Sequence, residues 1–277
     1  MQEPVDKNVP SSTQERGSAL PKIDAAARLD EAIMAVAPQH SSVFWGDRML
    51  TLDKSASFRD DPRFKAATKA TDSSTGENQY ASPDGISWRY NILVWAARQA
   101  LQVEGDFVEC GVYRGDMSWV VTEMVDLVGH GRTMYLYDTF SGFSEKYSSP
   151  EDYPDAPQFF EFANAGYGQA GLQEEVTARF RDKPHVHVIQ GVVPDALPAT
   201  APPKIAFLHL DMNSPGPERA ALEFLYDRIS PGGVIVFDDY GWSIFRKQKE
   251  SADAFMASRS HSVLELPTGQ GLVVKGR

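Results

Sequence analysis

Five short apolar runs divide the second half of the chain: DFVECG (106–111), TMYLYD (133–138), VHVIQG (186–191), IAFLHLD (205–211) and GVIVFDD (233–239). Each is the length of a buried strand. Helical patterns stand between them, among them DMSWVVTEMVDLV after the first, GLQEEVTARFRDK before the third and PERAALEFLYDRI before the fifth. In the last of these, Leu222, Leu225, Tyr226 and Ile229 fall on one face. Strands alternating with helices imply a parallel sheet covered on both sides. The end of the chain breaks this rule. HSVLELP and GLVVKG are separated only by Thr268, Gly269 and Gln270, too few residues for a parallel crossover, so they form an antiparallel hairpin. A helix, SWRYNILVWAARQAL, precedes the first strand, with Ile92, Trp95 and Ala96 at helical spacing.

Composition narrows the classes of function. The 277 residues carry a formal net charge of -11 and are 42% hydrophobic. An acidic globular chain of this kind is a poor partner for nucleic acid or an anionic membrane. No run approaches the roughly 18 apolar residues of a membrane span. The single cysteine, Cys110, excludes an internal disulfide and a cysteine-based zinc site. The N-terminus is polar and has no apolar core of a secretory signal, so a cytoplasmic location is expected. Residues 1–20 read as a disordered tail. Residues 21–85 read as an arm: a helix, KIDAAARLDEAIMAVAP, with Ile23, Ala27, Leu29 and Met34 on one side, then irregular chain in which Phe44, Trp45, Phe58 and Phe64 pack on a neighbour. An aromatic arm of this kind makes a homo-oligomer an expectation. The remaining residues, 86–277, form one domain.

The chemistry gathers at the strand ends. ECGVYRGD follows the first strand, with Gly111 and Gly115 spaced G-x-x-x-G rather than as the pyrophosphate fingerprint G-x-G-x-x-G. Glycines there admit close approach of a ligand, or simply serve a tight turn. The second strand ends in Asp138, placed to accept ribose hydroxyls or to cap a turn; Phe140 beside it would pack on an adenine, and Gly191 and Val192 would flank the base from the other side. Asp211, Asp238 and Asp239 end the fourth and fifth strands. Three carboxylates brought together repel one another unless a cation lies between them, and hard oxygen ligands favour Mg²⁺ or Ca²⁺. His209 shares the Asp211 face of its strand, as a packed strand residue or a base. Residues 141–170 form an insertion long enough to act as a lid. Its Tyr147, Tyr153, Phe159, Phe160, Phe162 and Tyr167 would wall an acceptor pocket, or pack as a cluster.

With these motifs in view, residues 86–277 resemble the macrocin O-methyltransferase-like family of class I enzymes that use S-adenosylmethionine (SAM). The resemblance rests on GDFVECGVYRG, YDTFSGF, FLHLDMN, SPGGVIVFDDYGW and LPTGQGLVVK, which occur in family order across the domain. It implies a Rossmann-like α/β sheet of seven strands with the seventh antiparallel, and methyl transfer from SAM to a hydroxyl of a small acceptor such as a sugar or secondary metabolite, with Mg²⁺. It implies that Glu109, Gly111, Tyr113, Gly115, Ser118, Asp138, Thr139, Phe140, Gly191, Val192 and Asp211 hold SAM, and that Asp211, Asp238 and Asp239 hold the metal. One position departs from the family: the second carboxylate of its Asp-x-Asp, the proposed general base, is Asn213 here. An amide cannot accept the acceptor's proton, although its carbonyl can ligate a metal. Proton removal would then fall to solvent at the metal, to His209, or to a residue of the insertion. Three other readings stand beside this one. They are a SAM-binding protein with altered catalysis, transfer to a non-hydroxyl acceptor, and a NAD-dependent oxidoreductase, which the missing fingerprint and the terminal hairpin oppose.

Overall fold

The computed structural model describes residues 22–72 and 84–276. The expected tail at 1–20 and the middle of the polar tract at 71–85 lie outside the described residues. The strands are β1 (Val43–Gly46), β2 (Met49–Leu52), β3 (Asp106–Cys110), β4 (Met134–Asp138), β5 (Val186–Gln190), β6 (Ile205–Leu210), β7 (Ile229–Phe237), β8 (Leu264–Glu265) and β9 (Gly271–Val274). The helices are α1 (Lys22–Val36), α2 (Pro62–Asp72), α3 (Ser87–Ala100), α4 (Asp116–Met124), α5 (Gln158–Tyr167), α6 (Leu172–Arg179), α7 (Leu197–Thr200), α8 (Pro215–Leu225) and α9 (Arg246–Ser258).

Seven strands form one sheet in the order β5-β4-β3-β6-β7-β9-β8. The first five are parallel to one another; β9 is antiparallel to β7 and to β8. From β3 the chain builds outward to β4 and β5, then returns to β6 on the other side. The strand order therefore reverses at β3, which opens a crevice beyond the C-terminal ends of β3 and β6. Two apolar layers cover the sheet. Phe107, Leu136, Phe207 and Val236 face α3 and α4, whereas Val108, Leu208, Ile235 and Phe237 face α8 and α9. Those alternating faces follow directly from the period of two along each strand.

Three details of the sequence reading change. The stripe that α3 buries is Arg89, Leu93, Ala96, Ala97 and Ala100, while Trp95 is exposed. In α1, Ile33 is buried, and Leu29 and Met34, read as part of a packed side, are exposed; the side chains of Ile23 and Ala27 lie outside the described residues. The stretch 41–85, read as irregular, contains the β1–β2 hairpin and α2. This arm packs on the domain through Phe44 and Phe58, whose rings meet Trp88 edge-on at 4.9 and 5.2 Å. Among the described residues no helix is long and apolar enough to cross a membrane.

Candidate active site

Register brings the carboxylates together. Cys110 pairs with Leu210, and Leu210 with Phe237. The residues that follow, Gly111, Asp211 and Asp238, therefore stand at one level on three adjacent strands. Backbone bonds continue the ladder there, from Asp211 N to Cys110 O at 2.8 Å and from Asp238 N to Leu210 O at 2.9 Å. A Cβ on Gly111 would lie 1.8 Å from the Asp211 carbonyl oxygen, and its φ is +87°. Glycine at this position is thus demanded by the packing of β3 against β6. Gly115 (φ +77°) is likewise closed in by the Phe180 ring.

Asp211, Asp238 and Asp239 each offer an oxygen within 4.8 Å of the others. Their surroundings differ. Asp238 is buried and held on both oxygens: Arg89 Nη1 donates to one at 2.5 Å, Gln270 Nε2 donates to the other at 2.8 Å, and His209 Nε2 lies 3.5 Å away. Burial opposes its ionisation, but Arg89, His209 and Gln270 outweigh burial and hold it below the usual carboxylate range. Asp239 takes a longer contact from Arg89, 3.4 Å, and one from the Asn213 side-chain amide. Burial and the Asp238 charge push it up to about 7. Asp211 is half-buried, and among the described residues nothing hydrogen-bonds its carboxylate. Burial and the charges of Asp238 and Asp239 raise it well above its ordinary value. Hard oxygen donors, one of them without a partner, fit a divalent cation.

The structure also shows how far the other expected residues reach the cavity. His209 is 1% exposed, with Nδ1 2.9 Å from Glu109 Oε1. Burial disfavours its charged form, yet Asp238 and Glu109 prevail and push it up to about 10. It is a buried imidazolium between two carboxylates, so it holds Asp238 in place and cannot reach an acceptor. Glu109 gives Oε1 to His209, and its buried Oε2 has no hydrogen-bond partner among the described residues. Asn213 adopts φ +53°, a left-handed conformation that Asn tolerates better than most residues; its backbone carbonyl accepts the Tyr153 hydroxyl at 2.7 Å. Asp138 accepts Val112 N and Tyr113 N on one oxygen, at 2.7 and 2.9 Å, and Phe140 N on the other at 2.7 Å. The Thr139 hydroxyl lies 3.5 Å from that second oxygen, so of the roughly four acceptor positions of a carboxylate the last is open to a ligand hydroxyl only if Thr139 gives way.

Above these residues lies a cavity of about 1110 Å³. A single small-ligand pocket spans roughly 300–1,000 Å³, so this one has room for a donor and an acceptor together. Gly111, Tyr113, Asp138, Thr139, Gly191 and Val192 line one part, and Asp211, Asn213, Asp238 and Asp239 line the floor. Glu109, Gly115, Ser118 and Phe140 are not among its lining residues. The insertion is divided. Phe159, Phe162 and Tyr167 line the cavity; Tyr153 and Phe160 are buried behind it in a cluster with Phe143, Phe159 and Phe245, three rings that also reach the cavity; Tyr147 donates to Asp195 at 2.7 Å.

Four side chains of the site escaped the sequence reading: Arg89, Asp47, Gln270 and Trp242. For Arg89 a signal existed. It sits at i−4 and i−7 from Leu93 and Ala96 on the stripe that α3 buries, and a cation on an apolar stripe needs a buried partner. Gln270 lies within the matching word LPTGQG and is 0% exposed; the word was legible, its target was not. Trp242 likewise closes the matching word SPGGVIVFDDYGW with no target legible; Asp47 gave no local sign.

Comparison with known proteins bears on this geometry. A family model described as Macrocin-O-methyltransferase (TylF) matches residues 92–262. Mycinamicin III 3''-O-methyltransferase of Micromonospora griseorubida is 29% identical over 160 residues, 55% of this chain and 62% of its own length. The 8-demethyl-8-(2,3-dimethoxy-alpha-L-rhamnosyl)-tetracenomycin-C 4'-O-methyltransferase of Streptomyces olivaceus is 30% identical over 145 residues, 50% of this chain and 54% of its own length. The chain thus spans between half and two thirds of these curated relatives. Among solved structures, the O-methyltransferase NovP superposes with a TM-score of 0.57 at 22% identity, over 68% of this chain and 80% of its own. The calicheamicin methyltransferase CalS11 does so at 0.56 and 16%, over 99% of this chain and 100% of its own. At those identities the likeness is one of fold.

Proposed function

Because the chain belongs to the macrocin O-methyltransferase family, we propose that it moves a methyl group from SAM to a hydroxyl of a small, sugar-bearing acceptor, with a divalent cation at Asp211, Asp238 and Asp239. The observation that carries this reading is the floor of the cavity: three carboxylates at adjacent strand ends, one of them without a hydrogen-bond partner among the described residues. The curated relatives support the acceptor class. Both names specify transfer to oxygen, and one acceptor carries a rhamnosyl group.

When bound, SAM supplies a methyl group already activated on a sulfonium, and a divalent cation lowers the pKa of a neighbouring hydroxyl. The chain's own task is mainly alignment. Asp138, Thr139, Gly191 and Val192 hold the nucleoside end of the donor, and Tyr113 with the turn after β3 holds its amino-acid end. Glu109 acts at one remove, by fixing His209 against Asp238. Phe159, Phe162 and Tyr167 close over the acceptor and exclude water. Asn213 donates to Asp239 and so cannot take a proton. With Asp211 a ligand, proton removal falls to solvent at the cavity floor or to a residue of the insertion.

The test is calorimetric titration of the full chain with S-adenosylhomocysteine (SAH) and with NAD, followed by SAH release on a panel of glycosides and phenols with and without Mg²⁺. Binding of SAH alone, with turnover that EDTA suppresses, is the expected result. Binding of NAD with no response to SAH would overturn the reading. SAH binding without turnover on any acceptor would leave a binding protein.

A further inference from the structure

The two residues at the tip of the β1–β2 hairpin are unusual for their place. Gly46 pairs with Met49, so Asp47 and Arg48 alone make the turn. Both have positive φ, 51° and 59°. Asn-Gly and similar pairs are the stable choices for such a loop. Asp visits this conformation readily, Arg does not, and an uncommon conformation of this kind is retained where the side chains serve a purpose.

Both side chains are turned toward the floor of the cavity. Asp47 is buried and grips Arg89 with two oxygens, from Nε at 2.6 Å and from Nη2 at 3.2 Å. Arg89, 4% exposed, spends its remaining nitrogen on Asp238 and Asp239. Arg48 and Arg89 both lie over the ring of Trp242, at 5.2 and 5.1 Å, in the loop that directly follows Asp239. The arm does not need Asp47 for attachment. Phe44 and Phe58 pack on Trp88, and Asp84 ties Trp45 N at 2.7 Å to Arg59 at 2.5 Å.

We propose that the hairpin is a positioning part of the cation site: Asp47, by sharing Arg89, sets how firmly Asp238 and Asp239 can hold a divalent ion. This rests on the cation reading given above. A guanidinium beside two ligands competes with a cation for them, and it competes less while a third carboxylate occupies its fork. Removing the charge of Asp47 leaves Arg89 to Asp238 and Asp239 alone and weakens cation binding. Removing the charge of Arg89 as well restores it.

The experiment measures Mn²⁺ affinity, by calorimetry or by the EPR signal of free Mn²⁺, in the full chain and in Asp47→Asn, Asp47→Glu and Asp47→Asn with Arg89→Gln. Circular dichroism and SAH titration establish that each is folded. The Asn variant is expected to bind Mn²⁺ about 10-fold more weakly, with SAH affinity unchanged. The Glu variant should recover part of the loss, and the double variant should return to within about 3-fold of wild type. Unchanged Mn²⁺ affinity in a folded Asn variant overturns the proposal and makes the hairpin a mere clip. Weak binding in both the single and the double variants overturns the route through Arg89. A wild type that binds SAH but no Mn²⁺ removes the cation reading itself, and this inference with it.

Discussion

The floor of the cavity and its outer walls are built by different means. The floor is set by ladder register: once Cys110, Leu210 and Phe237 are paired across β3, β6 and β7, the next residues must converge, whatever the loops do. The walls come from far away in sequence. The hairpin reaches Arg89 across 42 residues, and Arg89 reaches Asp238 across 149; Tyr153 of the insertion meets Asn213 across 60. Strand-end residues therefore announce themselves by position, while wall residues depend on where long connections land. Substitutions in the two regions should fail in different ways, the floor in chemistry and the walls in stability or acceptor affinity.

The largest effect belongs to the floor. Asp211→Asn keeps shape and removes one carboxylate from the proposed cation site. Turnover should fall about 10²- to 10⁴-fold, measured as SAH release at saturating donor, with SAH affinity within about 3-fold of wild type. A variant that loses SAH binding equally would place Asp211 in donor binding rather than in chemistry.

Next comes the junction between the regions. Arg89→Met leaves Asp47, Asp238 and Asp239 buried without their common cation. Breaking a buried pair from one side costs about 3–5 kcal/mol, which denaturant melts at neutral pH would register. A loss below about 1 kcal/mol would mean that the guanidinium is no more than a surface clamp.

The pH dependence of the cation-free protein is a third measure. Asp239 at about 7 and His209 at about 10 both lie above their ordinary values, 3.8 and 6.5. Burial with the Asp238 charge causes the first shift; Asp238 and Glu109, against burial, cause the second. Folded protein thus binds these protons more tightly than unfolded chain. The Asp239 contribution is lost as pH rises from about 4 to 7, and the His209 contribution as it rises from about 6.5 to 10. Asp238, held low, contributes the same throughout that window. In EDTA the Tm should fall by several degrees between pH 5 and 10, and His209→Gln should flatten the upper limb. A flat wild-type profile would contradict the buried imidazolium. Asn213→Asp probes the same electrostatics: exchanging a donor for a fourth carboxylate beside Asp239 should cost about 1–3 kcal/mol at pH 8 and less at pH 6, where one carboxylate is protonated.

The contrast also explains what was legible. Asp211, Asp238 and Asp239 could be picked out because each closes an apolar run, and the antiparallel seventh strand followed from a turn too short for a crossover. The family words located Gln270 without its target. Asp47 could not be found, because nothing within its own segment, VFWGDRML, points to α3. The roles read for Gly111 and Asp138 needed coordinates for a different reason: a close approach at a glycine does not say what approaches. At Gly111 it is the Asp211 carbonyl, and the Asp138 carboxylate is mostly occupied by backbone amides of the β3 turn. His209 could be read as a packed strand residue before a base, but its partner, Glu109 on the neighbouring strand, was not legible.

The smallest change in stability should come from the outermost wall, which makes it the cleanest probe of the acceptor. Phe162 is 69% exposed yet lines the cavity, so it contributes little to the packed core and presents its ring to the acceptor side. Neighbouring Phe160 is buried in the cluster with Tyr153 and Phe143. Phe162→Ser should therefore leave stability within about 0.5 kcal/mol and SAH affinity unchanged, while KM for a productive acceptor rises several-fold. Phe160→Ser should reverse the pattern, losing about 3–5 kcal/mol for a large buried ring. If both variants simply destabilise the fold, the insertion is packing throughout. If Phe162→Ser alone shifts acceptor KM, one helix carries a structural face and a recognition face two residues apart, and the wall can change its acceptor without disturbing the floor.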